Sequence, residues 1–176
     1  MLPARGAALV SRVDGGNLIV NPPREVWERS ELTPSELTQW TFLVAATGRA
    51  MLDELPQLDG GCINYWEAGN WALNDAAAPA GRKSAREHRK VHLHLLGRSR
   101  TATHRSWQWG EAPVFPAYAD RLAWSSAFER LTAEECNAVV RRAQTLLTSH
   151  YGLRDFAPWS TCGGCGYPHV EDGACD

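Results

Sequence analysis

The fold prediction starts from the stretch Lys90-Val91-His92-Leu93-His94-Leu95-Leu96-Gly97-Arg98, in which hydrophobic and basic residues alternate. A period of two residues is typical of a half-buried β-strand. Side chains two residues apart on a strand point the same way and lie about 7 Å apart. We therefore expect one cationic edge, interrupted only by Leu96, that consists of Lys90, His92, His94, Arg98 and Arg100.

A cationic edge with two imidazoles suits a phosphate ligand. A neutral imidazole can attack phosphorus and form a phospho-imidazole intermediate, which water or another acceptor then discharges. The predicted catalytic residues are His92 as the nucleophile, His94 as the group that orients the phosphate or serves the leaving group, and Lys90 as a cation that attracts the phosphate. Two histidines on an exposed strand are also compatible with no function, or with weak metal binding.

The chain around this stretch predicts further strands and a loop. Apolar runs at 7–13 and 17–21 are separated by Asp14-Gly15-Gly16, whose glycines tolerate positive φ, and this pattern predicts a β-hairpin. Residues 62–66 have the composition of another strand. Residues 101–115 contain tryptophan and proline and predict a loop after the histidine strand.

Two helices are predicted from their first turns. Thr33-Pro34-Ser35-Glu36 combines a capping threonine, a proline at the first helical position and a glutamate three residues after the cap. Apolar residues continue at near-helical spacing through 37–55, and Pro56 ends that helix. Thr132-Ala133-Glu134-Glu135 offers a second capping box, and Gly152 closes the helix that it opens.

The stretch from Lys90 to Arg98 resembles the signature of the histidine-triad (HIT) superfamily, in which three histidines alternate with hydrophobic residues and run into a hydrophobic pair. The resemblance covers roughly residues 7 to 110. It places the family's nucleophile at His92 and its last histidine at His94, whereas Lys90 stands where the first histidine belongs. It implies a HIT-like α+β fold, with an antiparallel sheet of about five strands and a packed helix, and it implies a homodimer. The C-terminal helix that begins after Thr132 and the Cys-rich tail lie beyond the resemblance.

Further site residues follow from the same resemblance. Asn64 and Asn70 lie on and just after the strand that precedes the histidine strand, where HIT-like proteins place polar groups that contact ribose or phosphate. Trp107 and Trp109 belong to a segment that resembles a tryptophan-containing loop of some bacterial members, and packing is an equal alternative for that loop. Arg98 is expected to neutralise phosphate charge, so it joins the predicted substrate-binding residues.

The last fifteen residues contain three cysteines and a histidine. Three thiolates and an imidazole match the ligand set of a structural zinc site, and the intervening glycines let a short chain wrap a tetrahedral ion. A disordered tail and a redox thiol pair are the alternatives. We expect a structural zinc ion and no organic cofactor, with the metal held by Cys162, Cys165, His169 and Cys175.

The length and composition of the chain indicate its domain organisation and the classes of partner to expect. A chain of 176 residues with 44% hydrophobic positions fits one globular domain with a small appendage. We expect a HIT-like nucleotide-binding domain at 1–155 and a Cys- and Gly-rich tail at 156–176. A net charge of −2 gives no general reason to expect a nucleic-acid or membrane partner. The N-terminus lacks a secretory pattern, so we expect a cytoplasmic protein.

Two functions compete at this point. The first is an enzyme that hydrolyses or transfers nucleotidyl groups through a covalent nucleotidyl-histidine intermediate on His92. The second is a non-catalytic module that binds or senses a nucleotide. A third, nucleic-acid binding through the tail, fits poorly with Glu171 and Asp172 inside the proposed metal loop.

Overall fold

The structure, a computed structural model, describes residues 8–153, 159–161 and 168–170. These residues form an α+β fold, as expected from the sequence. A three-stranded antiparallel sheet has the order β1-β3-β2 and consists of β1 (Asn17–Val20), β2 (Cys62–Ala68) and β3 (His92–Arg98). Two further short strands, β4 (Trp159–Thr161) and β5 (Pro168–Val170), pair only with each other. The four α-helices are α1 (Pro34–Glu54), α2 (Ala85–His88), α3 (Arg121–Ser126) and α4 (Ala133–Ser149).

The described part of the chain therefore contains a central sheet of three strands rather than the five that the resemblance implies. Residues 159–161 and 168–170 are paired outside that sheet. The sheet is open, with β1 and β2 at its two edges among the described residues.

The central strand is β3, and both of its faces are covered. Leu93 and Leu95 face a large core that α1 and α4 close, and Leu95 is fully buried. Leu96, on the opposite face, belongs to a second and smaller core built from loops around Trp107. The sequence pattern predicted a half-buried strand with a solvent face, and that prediction is wrong because the loops after β3 fold back over it.

Helices α1 and α4 begin where the capping boxes predict. In each, the threonine side chain accepts the N–H of the glutamate three residues later, while that glutamate accepts the N–H of the threonine. These two reciprocal bonds satisfy donors that a helix start leaves free. Pro56 lies two residues after Glu54, the last residue of α1, so the helix ends just before the proline, as expected. Within the described residues, none of the helices combines the length and the apolar character that crossing a membrane requires.

The predicted hairpin does not form. Residues 8–10 are irregular and residues 12–14 form a short 3-10 helix, so β1 has no partner on its N-terminal side. The reason is local: the Asn17 side-chain oxygen accepts the N–H groups of Leu9 at 2.9 Å and Val10 at 3.3 Å. Backbone donors that a hairpin ladder would use are thereby bound to a side chain, and β1 pairs with β3 instead.

Close backbone contact joins the turn before β1 to the end of β3. The N–H of Gly97 donates to the Gly16 carbonyl at 2.9 Å, and the N–H of Ser99 donates to the Asp14 carbonyl at 3.1 Å. A Cβ atom at Gly97 would overlap the carbonyl oxygen of Gly15. Glycine is required at position 97 because two backbones meet there.

Gly97→Ala should lower the free energy of unfolding by about 1–3 kcal/mol, the range for overpacking against atoms that cannot move aside. Urea unfolding of the variant and the wild type measures the difference. Gly110→Asn is the control, because the space beside Gly110 is open and asparagine tolerates its positive φ. A Gly97→Ala protein as stable as the wild type would show that the two segments separate at no cost.

Candidate functional site

The two histidines of the predicted site are in contact. His92 and His94 lie on the same face of β3, and their Nε2 atoms are 3.1 Å apart. The Nδ1 atom of His92 lies 2.8 Å from the carbonyl oxygen of Lys90. The strand spacing that the sequence predicted has therefore brought both imidazoles into one site.

These contacts assign the protons of the neutral pair. A carbonyl oxygen only accepts, so Nδ1 of His92 carries the hydrogen of that bond. The Nε2 atom of a neutral His92 then has a free lone pair, and the 3.1 Å contact requires His94 to donate through its own Nε2. Nδ1 of His94 is left as a bare acceptor, and it is buried without a hydrogen-bond partner among the described residues.

His94 is held in an apolar environment. Its side chain is 7% exposed, and its ring lies 5.2 Å from the ring of Trp66, its cross-strand neighbour on β2. Phe115 stacks on the ring of Trp66 with ring centroids 4.2 Å apart. Burial, together with the nearby His92, lowers the pKa of His94 from 6.5 to about 3. His94 is therefore a neutral hydrogen-bond donor at physiological pH.

Lys90 contributes its backbone rather than its side chain to the histidine pair. It precedes β3, and its ammonium forms a 2.6 Å ion pair with Glu25, with both side chains largely exposed. The N–H of the next residue, Val91, donates to the Val26 carbonyl at 2.8 Å and fixes the backbone at this point. The Lys90 carbonyl is thereby held in position to orient the His92 ring.

The predicted cationic edge does not extend along β3. Arg98 is 5% exposed, and its guanidinium donates to the carbonyls of Gln108 at 2.8 Å and Glu111 at 3.0 Å. Six residues of strand separate it from His92, a rise of about 20 Å. Arg100 lies over the ring of Trp109 at 5.0 Å. Neither arginine lies beside a phosphate bound at His92.

The predicted substrate-binding residues fall at both ends of the sheet. Asn64 pairs with Leu96 in the β2–β3 register, away from His92. Asn70 is exposed and lies two residues beyond Ala68, which pairs with His92, so it is at the same end of the sheet as His92. Trp107 is fully buried in the second core, and Trp109 is partly exposed at the far end of the sheet with Arg100.

A salt-bridge network fixes the end of β2 near His92. The Arg89 guanidinium donates to the Trp27 carbonyl, to Glu28 at 2.7 Å and to Glu67 at 3.0 Å. A Cβ atom on Gly69 would come within 2.8 Å of the Arg89 side chain, so a larger residue there would require that side chain to shift. The N–H of the residue after Glu28 and the Arg89 guanidinium lower the pKa of the Glu28 carboxyl. These ion pairs therefore hold the end of β2, which lies beside His92, in a fixed position.

The predicted zinc ligands are only partly within the described residues. Cys162, Cys165 and Cys175 lie outside them, and His169 is described only as a member of β5, where it pairs with Ser160. Elsewhere in the described chain, no cluster of three or more histidine, cysteine, aspartate or glutamate side chains could hold a metal ion. The zinc site remains a prediction.

Sequence reasoning missed Trp66 and Phe115. Trp66 was assigned only to a strand, and its place beside His94 depends on the β2–β3 register, which pairs residues 28 positions apart. Phe115 lies in a loop without any periodic pattern. Trp66 and Asn64 are two residues apart on one strand, and only this spacing could have suggested that both side chains lie on the same face of the sheet.

The low pKa of His94 predicts a pH-dependent stability. Unfolded His94 takes up a proton near pH 6.5, whereas folded His94 does so only near 3. The free energy of unfolding should therefore fall as the pH drops from 6.5 towards 3, by up to about 1.4 kcal/mol per pH unit. Urea unfolding at several pH values should show this slope reduced in His94→Gln but retained in Gln39→Ala, an exposed helical control. Equal slopes in all three proteins would contradict the assignment of a neutral, buried His94.

Comparison with known proteins found no match to this chain among protein-family models, curated proteins or solved structures.

Proposed function

We propose that the protein hydrolyses or transfers nucleotidyl groups, with His92 as the nucleophile and a covalent nucleotidyl-histidine as the intermediate. The observation that carries this proposal is the pair of contacts on the His92 ring, Nδ1 to the Lys90 carbonyl at 2.8 Å and Nε2 to His94 Nε2 at 3.1 Å. The first contact leaves the lone pair of a neutral His92 on Nε2. The resemblance of 90–98 to the HIT signature supports the same assignment.

The chemistry proceeds in two balanced steps. The Nε2 lone pair of His92 forms a bond to phosphorus while the bond between phosphorus and the leaving-group oxygen breaks, and that oxygen keeps the electron pair. Water, or another acceptor hydroxyl, then attacks phosphorus from the opposite side and loses its proton. The nitrogen–phosphorus bond breaks, its electrons return to Nε2 and the nucleotide is released.

His94 serves this reaction as a donor. In the free protein its Nε2 hydrogen is directed at the His92 lone pair, so that lone pair is not yet available for attack. A phosphate oxygen that enters the site is a better acceptor because it carries charge. The hydrogen bond can pass from His92 to that oxygen, which frees the nucleophile and stabilises negative charge in the transition state.

Binding without turnover is the second candidate, and one observation favours it. Of the cations predicted to act on the phosphate, Arg98 is bound to loop carbonyls far along the strand, and the Lys90 ammonium is paired with Glu25 in the free protein. Charge neutralisation at the transferred phosphoryl group would then depend on a neutral imidazole alone. A site of this kind could bind a nucleotide and react slowly or not at all.

Trapping of the intermediate distinguishes the two candidates. Wild-type protein is mixed with adenylated and uridylylated substrates labelled at the α-phosphate and quenched rapidly under alkaline denaturing conditions. The proposal expects a labelled protein, no label on His92→Ala, and about 10²-fold slower labelling of His94→Phe, the loss typical of a removed transition-state donor. His150→Ala, an exposed histidine after α4, is the control. Nucleotide binding without label on the wild type would establish the non-catalytic alternative.

The lysine side chain should contribute little to labelling. Lys90→Met keeps the backbone carbonyl that orients His92 and removes only an exposed ion pair, so the labelling rate should fall less than about tenfold. Glu25→Gln, which frees the Lys90 ammonium from its partner, is the matched variant. A loss of two orders of magnitude in Lys90→Met would mean that the ammonium leaves Glu25 and binds the phosphate during the reaction.

A further inference from the structure

We propose that Arg98 is a positioning residue, which closes the loop 106–114 over the second core and so keeps water away from His94. The loop, its anchor and its contact with the histidine site are all on the same face of the sheet. The role differs from the predicted one, in which Arg98 neutralises phosphate charge. Its importance for turnover rests on the proposed function, but the structural claim does not.

The loop is closed at its base and held from inside. The N–H of Val114 donates to the Ser106 carbonyl at 3.2 Å, which joins the two ends of the loop. Between them, one guanidinium nitrogen of Arg98 donates to the carbonyls of Gln108 and Glu111. Both bonds come from the same nitrogen, Nη2, whose two hydrogens are fixed in the plane of the guanidinium, whereas the ammonium of a lysine rotates on a flexible stem.

The closed loop connects directly to the histidine site. Trp107 is completely buried, lies 5.7 Å from the Arg98 guanidinium and contacts Phe115 edge-to-face at 5.6 Å. Phe115 stacks on Trp66, and Trp66 packs against the ring of His94. The contacts therefore form a continuous chain of side chains from Arg98 to His94.

The burial of Arg98 itself indicates a positioning role. A buried guanidinium loses its hydration, and no carboxylate of the described residues forms an ion pair with it. Its Nε atom is buried and has no hydrogen-bond partner in the part of the chain that the structure describes. The bonds to the loop carbonyls and the ring of Trp107 are what compensate the charge, so opening the loop would expose Arg98 and the aromatic chain together.

The titration of His94 reports loop closure. His92, on the same strand, is the titratable group in contact with its ring, and Arg98 faces the same side of the sheet. The cross-strand neighbours of His94 are Ile19 and Trp66, and the loop side presents Phe115, none of which titrates in this range. Variants that keep the positive charge at position 98, or leave that position unchanged, therefore change the pKa of His94 by exposing its side chain and not by altering the charge nearby.

Two variants test the inference by heteronuclear NMR of the imidazole nitrogens in the full chain. Arg98→Lys keeps the charge and removes the rigid guanidinium that holds the two loop carbonyls. Val114→Pro removes the N–H that closes the loop base while altering only a residue that is 58% exposed. Both should raise the pKa of His94 by about one unit or more towards its ordinary value, because burial is its main cause. Arg100→Lys, an arginine that stacks on exposed Trp109, should leave it unchanged.

Two results would contradict the inference. A folded Val114→Pro or Arg98→Lys protein whose His94 titrates as in the wild type would overturn it, and so would an equal shift in Arg100→Lys. If Arg98→Lys fails to fold, Val114→Pro decides. The NMR readout needs no substrate, so a shifted His94 in a protein that forms no nucleotidyl adduct would support the loop inference while the proposed function fails.

Discussion

The central position of β3 is the constraint on which the rest of the structure depends. A strand with a neighbour on each side satisfies its backbone groups, and in this antiparallel sheet both faces of β3 are also covered by other parts of the chain. Helices α1 and α4 cover one face with aliphatic side chains, as the apolar pattern of Leu93 and Leu95 requires. The other face carries His92 and His94, and there the cover comes from loops rich in aromatic residues. The chemistry of the site follows from that second cover, since it removes water from one histidine and leaves the other at the rim.

The two faces differ in how well their polar groups are satisfied. Among the described residues, four buried side-chain atoms lack a hydrogen-bond partner; three of them, Nδ1 of His94, Nε of Arg98 and Nε1 of Trp107, lie on the loop-covered face, and the fourth is Nε1 of Trp27. Each such group lowers stability by about 1–3 kcal/mol relative to a bonded one. A fold selected for stability alone would not concentrate them on one side of one sheet. Local rules are most often broken at functional sites, and the same face holds the paired imidazoles.

The sequence predicted well those features that depend on neighbours in the chain. The capping boxes of α1 and α4 involve residues three apart, and the alternation in β3 involves residues two apart, so both can be read directly. The pairing partners could not be read in this way. Asn17 binds the backbone of Leu9 and Val10, and this contact replaces a hairpin that composition favoured. Likewise the strand pattern predicts that Arg98 is an exposed cation. It gives no information about the loop that buries this residue, because that loop lies outside the pattern.

The departure from the HIT pattern at Lys90 has a different meaning once the backbone is considered. A histidine in that position would seem necessary to support the nucleophile, and its replacement by lysine would suggest lost activity. In this structure, however, the hydrogen bond to Nδ1 of His92 comes from the carbonyl of residue 90, which every amino acid supplies. The side chain is directed to Glu25 and takes no part in that bond. The orientation of His92 is thus independent of the residue type at position 90, provided that the Val91 to Val26 bond holds the backbone in place. A lysine at position 90, where the HIT signature has a histidine, therefore leaves the hydrogen bond to Nδ1 of His92 in place, and this supports the catalytic proposal over binding alone.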